Sequence, residues 1–282
     1  MFHSFTLAVA LVLALATAPV TSAPDLLDKT DDTPDLVQTL PEVGLPGGGL
    51  AHCGPTAVSN SLVWLARHGH PDLAPQGVER PAVQGALVGL LASQRYMNTS
   101  LKAGTSPSKL MVGLEAYLQD HGVSGAVIGY QGARDIPPRF ASGANSPDPR
   151  WLLRQFPGDA GAWMLIGWYR YDPETKIYKA FAGHWFSVVG YALDEAGRPD
   201  PFTPLVHDSA PPPRSQLYPT HDRMVLHPVP AGRRRIEEGP TASPTTPIYQ
   251  IGGDAKLKPG ADVGLLDGIV VTRLDGTWRA AR

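Results

Sequence analysis

Apolar residues in the first half of the chain recur with the period of an α-helix. Between Cys53 and Gly69 they share one stripe, with Pro55 suited to a first turn and the glycine suited to a stop. A second helix is expected from about Pro81 to Ser93. A third is expected after Ser106, a candidate N-cap, and before Gly122, a candidate stop. The N-terminal half is therefore predicted to be helical.

The second half of the chain carries short apolar runs without helical periodicity. These runs are rich in β-branched and aromatic residues and are bounded by Gly, Pro and Asp, which is typical of antiparallel strands. They read "VSGAVIGY", "AWMLIGWYRY", "KIYKAF", "GHWFSVVGYAL", "TPLVHDSA" and "GIVVTRL", with a short helix expected near "DPRWLLRQF". Helices followed by strands predict an α+β fold with a cleft between the two parts.

The N-terminal segment predicts export. Residues 1–23 form an uncharged apolar run that ends in small residues, as a secretory signal peptide does, so a secreted or periplasmic location is expected. Residues 24–39 hold several aspartates and two prolines, and we interpret them as a flexible acidic linker. The remaining residues, 40–282, are long enough for one domain with a sizeable core.

The charge composition limits the classes of partner that the chain is expected to bind. The formal net charge is −2, with 24 basic and 26 acidic residues, so the chain offers no electrostatic footprint for nucleic acid or an anionic membrane. The signal segment is too short to span a bilayer, and no later segment is predicted to do so. His68 and His70 lack the neighbours of a metal site, and no metal or cofactor is expected. The oligomeric state is left open.

Cys53 is the only cysteine among 282 residues. An exported chain with one cysteine forms no internal disulfide, so the thiol has either a chemical role or the common fate of a small buried apolar side chain. Its place at a helix start favours chemistry, because unpaired N–H groups and the helix dipole stabilise a thiolate.

A nucleophilic thiol needs a base and an acceptor that orients the base. His184 opens a predicted strand and is the best-placed histidine, because His68, His70 and His121 lie at helix ends away from the thiol. The next strand ends in Asp208. A hairpin centred on Ala196 would set Asp208 directly opposite His184, within hydrogen-bonding reach.

His207 competes with Asp208 for that place, because a register slip of one residue would exchange the two. The alternative to a functional pair is a plain surface hairpin in which Asp208 caps a turn.

Three segments resemble a known family. "HCGPTAVSNSLVWL", "GHWFSVVGYAL" and "VHDS" resemble the papain-like cysteine peptidases of the C39-like group. The resemblance implies a papain-like fold in which the helix of the nucleophile packs on a C-terminal antiparallel sheet. It also implies Cys53 as nucleophile, His184 as general base and then acid, and Asp208 as the residue that orients His184.

The sequence departs from that family just before the cysteine. Members of this fold usually carry a glutamine there that donates to the oxyanion, whereas this chain has Gly47–Gly49, and the nearest upstream glutamine is the distant Gln38. We predict that the oxyanion is bound by the N–H of Cys53 and by a backbone N–H of Gly48 or Gly49.

The function predicted from the sequence is a secreted cysteine peptidase that acts on a peptide or protein substrate. Two alternatives stay open. One is a non-catalytic peptide-binding module, which the missing glutamine motivates. The other is a thiol acyltransferase or amidase, because the same triad serves any acyl acceptor.

Overall fold

The computed structural model describes residues 28–210, 221–229, 233–235, 241–242 and 248–280. The signal peptide predicted at residues 1–23 lies outside these ranges. The described residues form four α-helices: α1 (Cys53–Arg67), α2 (Pro81–Ala92), α3 (Pro107–Asp120) and α4 (Pro149–Gln155). All four were predicted, and Ser106 caps α3 by accepting a 3.4 Å hydrogen bond from the N–H of Lys109.

Nine strands are present in the described part of the chain. They are β1 (Val127–Gly132), β2 (Ala160–Asp172), β3 (Ile177–Leu193), β4 (Pro199–Asp208), β5 (Asp222–Val229), β6 (Arg233–Arg235), β7 (Thr241–Ala242), β8 (Ile248–Gly253) and β9 (Val263–Arg273). The predicted apolar runs supply β1 to β4 and β9, and two of those runs merge into the long strand β3. Strands β5 to β8 were not predicted.

Six of these strands close into an antiparallel barrel. The order around the ring is β2, β3, β4, β5, β8 and β9, and β9 pairs again with β2. The predicted papain-like α+β arrangement, an N-terminal helical part with the nucleophile helix packed on a C-terminal sheet, is therefore wrong. Strand residues outnumber helical ones, and the ring is completed by β5 and β8, which come from the Pro-rich region that carried no clear strand pattern.

Two strands of the barrel are buried on both faces, β9 throughout and β2 over its first ten residues. In β2, Met164 and Ile166 point into the barrel, whereas Trp163 and Leu165 belong to the core shared with α1, α2 and α3. Helix α1 lies on this outer face, where Trp163 Nε1 and Ser187 Oγ both donate to the carbonyl of Ala57, at 3.0 and 2.8 Å. Burial on both faces explains why β2 reads as a continuous apolar run without alternation.

Residues 28–45 form an N-terminal strap across this body. The N–H of Lys29 donates to Val189 O in β3 at 2.7 Å, and the N–H of Gln38 donates to Ser209 O at 2.9 Å. Leu36 and Val37 pack with Val88 of α2 in a small apolar cluster. The described residues of the predicted flexible linker, 28–39, thus belong to the folded body and do not form a solvated linker.

Lys29 anchors the strap. Its side chain is buried, with the residue 4% exposed, and Nζ donates to the carbonyls of Phe156, Gly158 and Ala160 at 3.3, 2.9 and 2.6 Å. Nζ also lies over the rings of Trp64 and Phe156, 4.1 and 4.4 Å from their centroids. Three acceptors match the three donors of an ammonium group, and the two rings favour its charge.

Replacing Lys29 with methionine is expected to lower the free energy of unfolding by about 2–4 kcal/mol, because three buried carbonyls lose their donor. The measurement is chemical denaturation of the variant beside Lys102→Met, which alters an exposed lysine and should change stability little. Equal stability of the two variants would contradict the anchoring role of Lys29.

Candidate active site

Cys53 is the first residue of α1 and is 8% exposed. No side chain caps this helix start, so the N–H groups of the first turn are available to a negative charge. The N–H groups of Gly54 and of Trp185 in β3 lie near the sulfur and lower the pKa of Cys53. The predicted position of the thiol at a helix start is confirmed, and β3 supplies a donor that the sequence did not indicate.

Gly54 lets the helix start lie close to its neighbours. A Cβ atom at this position would lie 3.0 Å from Cβ of Thr105 and 3.3 Å from Cδ1 of Trp185. Any larger residue would push α1 away from β3, and with it the sulfur from the donors around it. The glycine of the Cys-Gly-Pro motif is thus explained by packing.

His184 and Asp208 form a direct contact. His184 Nε2 donates to Asp208 Oδ1 at 2.7 Å, and both side chains are largely buried. This bond leaves Nδ1 of the ring for the sulfur of Cys53, and the interaction with that sulfur helps to raise the pKa of His184. The three residues singled out in the sequence therefore lie together, in the order sulfur, imidazole, carboxylate.

The register of the hairpin differs from the predicted one. Near the turn, Leu193 pairs with Pro199, as expected for a hairpin centred at Ala196. Bulges farther along shift the pairing, so that Phe186, and not His184, lies opposite Asp208. The predicted direct opposition of His184 and Asp208 is wrong.

His184 and Asp208 are still in contact because the strand register is shifted by two residues. A shift by an even number leaves a side chain on the same face of the sheet, whereas a shift by one would have exchanged Asp208 for His207. Asp208 therefore reaches His184 diagonally, a spacing that long side chains bridge.

His207 lies on the opposite face, away from the triad. Its ring is buried, and Nδ1 donates to Pro34 O in the strap at 3.0 Å. Burial lowers the pKa of His207 to about 4, so the ring is neutral at neutral pH. His207, which the sequence offered as an alternative to Asp208, thus helps to attach the strap.

The charges at the site favour an ion pair. For His184, burial lowers the pKa, but the hydrogen bond to Asp208 and the hydrogen bond and charge of Cys53 raise it to about 10. For Cys53, burial raises the pKa, but His184 and the two N–H donors bring it below its ordinary value. The pKa of Asp208 is also lowered, because His184 outweighs the effect of burial. These shifts all favour the charged forms, a thiolate, an imidazolium and a carboxylate.

The glycine turn before Cys53 has a left-handed backbone. Gly48 and Gly49 have φ values of 63° and 77°, which L side chains adopt rarely, and a Cβ atom at Gly49 would overlap the carbonyl oxygen of Gln38. The carbonyl of Gly49 accepts hydrogen bonds from the N–H of His52 at 2.9 Å and from Gln38 Nε2 at 2.8 Å. Donation by Gly48 or Gly49 to an oxyanion stays a prediction.

Gln38 is the site residue that the sequence did not identify. It is buried, and its Oε1 accepts from Ser209 Oγ at 2.9 Å while Nε2 bonds Gly49. It thus joins the turn that precedes Cys53 to the residue that follows Asp208. The contact spans the strap, the glycine turn and the end of β4, so no local motif could have revealed it.

The other candidate groups lie elsewhere. His68 and His70 face Asp32 and Asp159 on the surface, and His121 stacks on Tyr117. In the described ranges no three His, Cys, Asp or Glu side chains gather as metal ligands would. None of the helices described is both long and apolar enough to cross a membrane.

A scan against protein-family models finds no match, and a search of curated proteins finds none. The resemblance to the C39-like group therefore stays a prediction that rests on the three short segments.

Proposed function

We propose that the protein is a cysteine peptidase that cleaves peptide amide bonds with Cys53, His184 and Asp208. The observation that carries the proposal is the buried triad itself: His184 lies at Cys53, and its Nε2 is 2.7 Å from Asp208 Oδ1. In this arrangement the pKa of Cys53 is lowered and that of His184 is raised. A structural cysteine needs neither a base nor an orienting carboxylate, and perturbed pKa values of this kind concentrate at functional sites.

The reaction proceeds by acyl transfer. The sulfur of Cys53 attacks the carbonyl carbon, and the His184 imidazolium gives its proton to the amide nitrogen as the C–N bond breaks, leaving a thioester. Water then attacks the thioester carbon while neutral His184 takes its proton, and the C–S bond breaks to return the thiolate. Asp208 holds the ring in place and stabilises the imidazolium in both steps.

The oxyanion of each tetrahedral intermediate needs N–H donors beside the sulfur. We assign this role to the N–H of Cys53 together with that of Gly48 or Gly49, as the sequence suggests. The turn of these glycines directly precedes the thiol, and its tie to Gln38 gives it a fixed position, which such donors require. The N–H of Trp185 is a further donor at the sulfur.

Export and family membership are part of the same proposal. Export rests on residues 1–23, and membership in the C39-like group rests on the segments around the three site residues. The lowered pKa of Cys53 favours the peptidase over a binding module, because a binding module gains nothing from an activated thiol.

The proposal is tested by profiling a peptide library with the full chain under reducing conditions. Peptides cleaved by the native protein and left intact by Cys53→Ala would identify the activity and its products by mass spectrometry. A library left intact by the native protein, although its thiol is activated, would refute the peptidase.

The thiolate itself has a measurable signature. The rate at which iodoacetamide alkylates Cys53 should rise with pH, and the pH of its inflection should be lower in the native protein than in the chain unfolded in denaturant. In the unfolded chain the thiol should have its ordinary pKa of about 8.5. Because the chain has one cysteine, the whole signal comes from this site. The position of the inflection is compared, since the absolute rate also depends on burial. Coincident inflections would mean an unactivated thiol.

A further inference from the structure

Two large apolar side chains are exposed beside the start of α1. Leu50, three residues before Cys53, is 80% exposed, and Leu101, in the neighbouring turn, is 63% exposed. The two turns that carry them are residues 47–51 and 100–104. We call Leu50, Leu101 and these two turns the apolar rim.

The two turns of the rim lie side by side. A Cβ atom at Gly47 would lie 3.8 Å from Cδ2 of Leu101, and one at Gly104 would lie 3.6 Å from the carbonyl oxygen of Ala51. The next residue, Thr105, packs against Gly54, which directly follows the thiol. The rim therefore lies beside the start of α1, the helix end that carries the sulfur, so a substrate segment bound at Cys53 would extend next to it.

Hydrogen bonds hold the rim in shape. Within the second turn, the N–H of Ser100 donates to Gly104 O at 3.0 Å, and the N–H of Gly104 returns a bond to Ser100 O at 2.8 Å. The hydroxyls of Thr99 and Thr105 bond each other at 2.8 Å across its base. A surface that is already ordered loses little conformational entropy when it binds a ligand.

The charge around the rim excludes one class of ligand. Residues 45–51 and 98–109 contain no aspartate or glutamate, and Lys102 and Lys109 are both exposed. A basic segment would be repelled here, whereas a neutral or acidic one would not.

We propose that the apolar rim is a specificity site that receives a large apolar side chain of the substrate, next to the scissile bond and among neutral or acidic neighbours. The inference rests on the proposed peptidase function and adds the class of peptide that it acts on. Burying Leu50 and Leu101 away from water is energetically favourable, and an apolar side chain of a bound substrate would bury them beside the nucleophile.

The test uses a hexapeptide library in which Leu or Ser is fixed at each position in turn. We expect a Leu preference of about 10-fold in kcat/KM at a position flanking the cleaved bond, as burial of one apolar side chain gives. Leu50→Ser and Leu101→Ser should each remove most of that preference, mainly through KM. Cleavage of the Ser peptide should slow far less than cleavage of the Leu peptide, and the pH inflection of Cys53 alkylation should stay at its native position.

Leu193→Ser is the matched control, because Leu193 is also 63% exposed but lies at the turn end of β3. It should behave as the native protein does. If Leu50→Ser and Leu101→Ser slow the Leu and Ser peptides equally, or if the double variant keeps the preference, the specificity site is refuted.

Two further measurements separate this inference from the proposed function. Calorimetry of the same Leu and Ser peptides on Cys53→Ala measures the preference without turnover, so the rim is judged even if no peptide is cleaved. No binding preference for Leu would refute the specificity site. Analytical ultracentrifugation tests whether a second copy of the chain covers the rim instead. If the native protein is a dimer and the double variant Leu50→Ser with Leu101→Ser is a monomer, the rim is a dimer interface and the proposal is refuted.

Discussion

Replacing Cys53 with alanine is expected to lower kcat/KM for any peptide that the native protein cleaves by about 10⁴-fold or more, because acyl transfer has no nucleophile without the sulfur. Cys53→Ser should lose nearly as much. A serine hydroxyl has a far higher pKa than a thiol, so the imidazolium of His184 does not keep it ionised. The fold should stay intact, since both changes remove or replace one small atom group at the helix start.

The matched control for this prediction is Ser61→Ala, a buried position two turns farther along α1. It alters a small side chain on the same helix without touching the thiol, and it should retain activity. Thermal unfolding of each variant shows whether lost activity reflects lost structure. Activity that persists at one tenth of the native value in folded Cys53→Ala would rule out thiolate catalysis.

The helices were predictable because their signals are local. Ser106 and Gly122 flank α3 on the chain, whereas Pro55 lies in the first turn of α1 and Gly69 follows its end. Each helix end is therefore encoded within a few residues of itself. The triad followed in part from one such local fact, a thiol at a helix start. The histidine was expected at the start of a strand, but His184 lies within β3, because the run before it belongs to the same strand. The third member followed from a hairpin turn, and its error of two residues was harmless because it preserved the face of the strand.

The barrel was not predictable on the same grounds. Its closure depends on β5 pairing with both β4 and β8, and on β8 meeting β9 at Gln250 and Leu265. Pro228 interrupts the apolar pattern of β5, and the ring also needs β2 to pair with the distant β9, where Ala160 lies opposite Arg273. A strand whose place in a sheet depends on distant partners leaves little trace in its own composition.

The strap misled the sequence analysis for a related reason. Its aspartates and prolines indicate a solvated linker, yet Lys29 finds three carbonyl acceptors more than 120 residues away. Gln38 likewise bonds Ser209, 171 residues away, and Gly49. Buried polar groups of this kind are satisfied by long-range contacts, so their importance appears only when the chain is folded.

Replacing His184 with alanine is expected to lower kcat/KM by about 10³–10⁴-fold, because the thiolate loses its counter-ion and the leaving amine loses its proton donor. The pKa of Cys53 should rise, since burial then acts with less opposition. The inflection of iodoacetamide alkylation should therefore move to higher pH than in the native protein. The matched control is His70→Ala, which removes a surface histidine paired with Asp159 and should change neither quantity.

The pH dependence gives the same prediction a second readout. His184 has a pKa raised to about 10, so its proton is present through the neutral range, and on the alkaline side kcat/KM of the native protein should fall as pH rises through about 10. The ion pair should stabilise the fold in the same sense: its contribution from His184 is complete below the ordinary histidine pKa of about 6.5 and is lost as pH rises through about 10. Residual activity of His184→Ala should lack that alkaline limb. If the variant keeps the native alkylation inflection, His184 does not ionise the thiol, and the lowered pKa of Cys53 must come from the N–H groups of Gly54 and Trp185 alone.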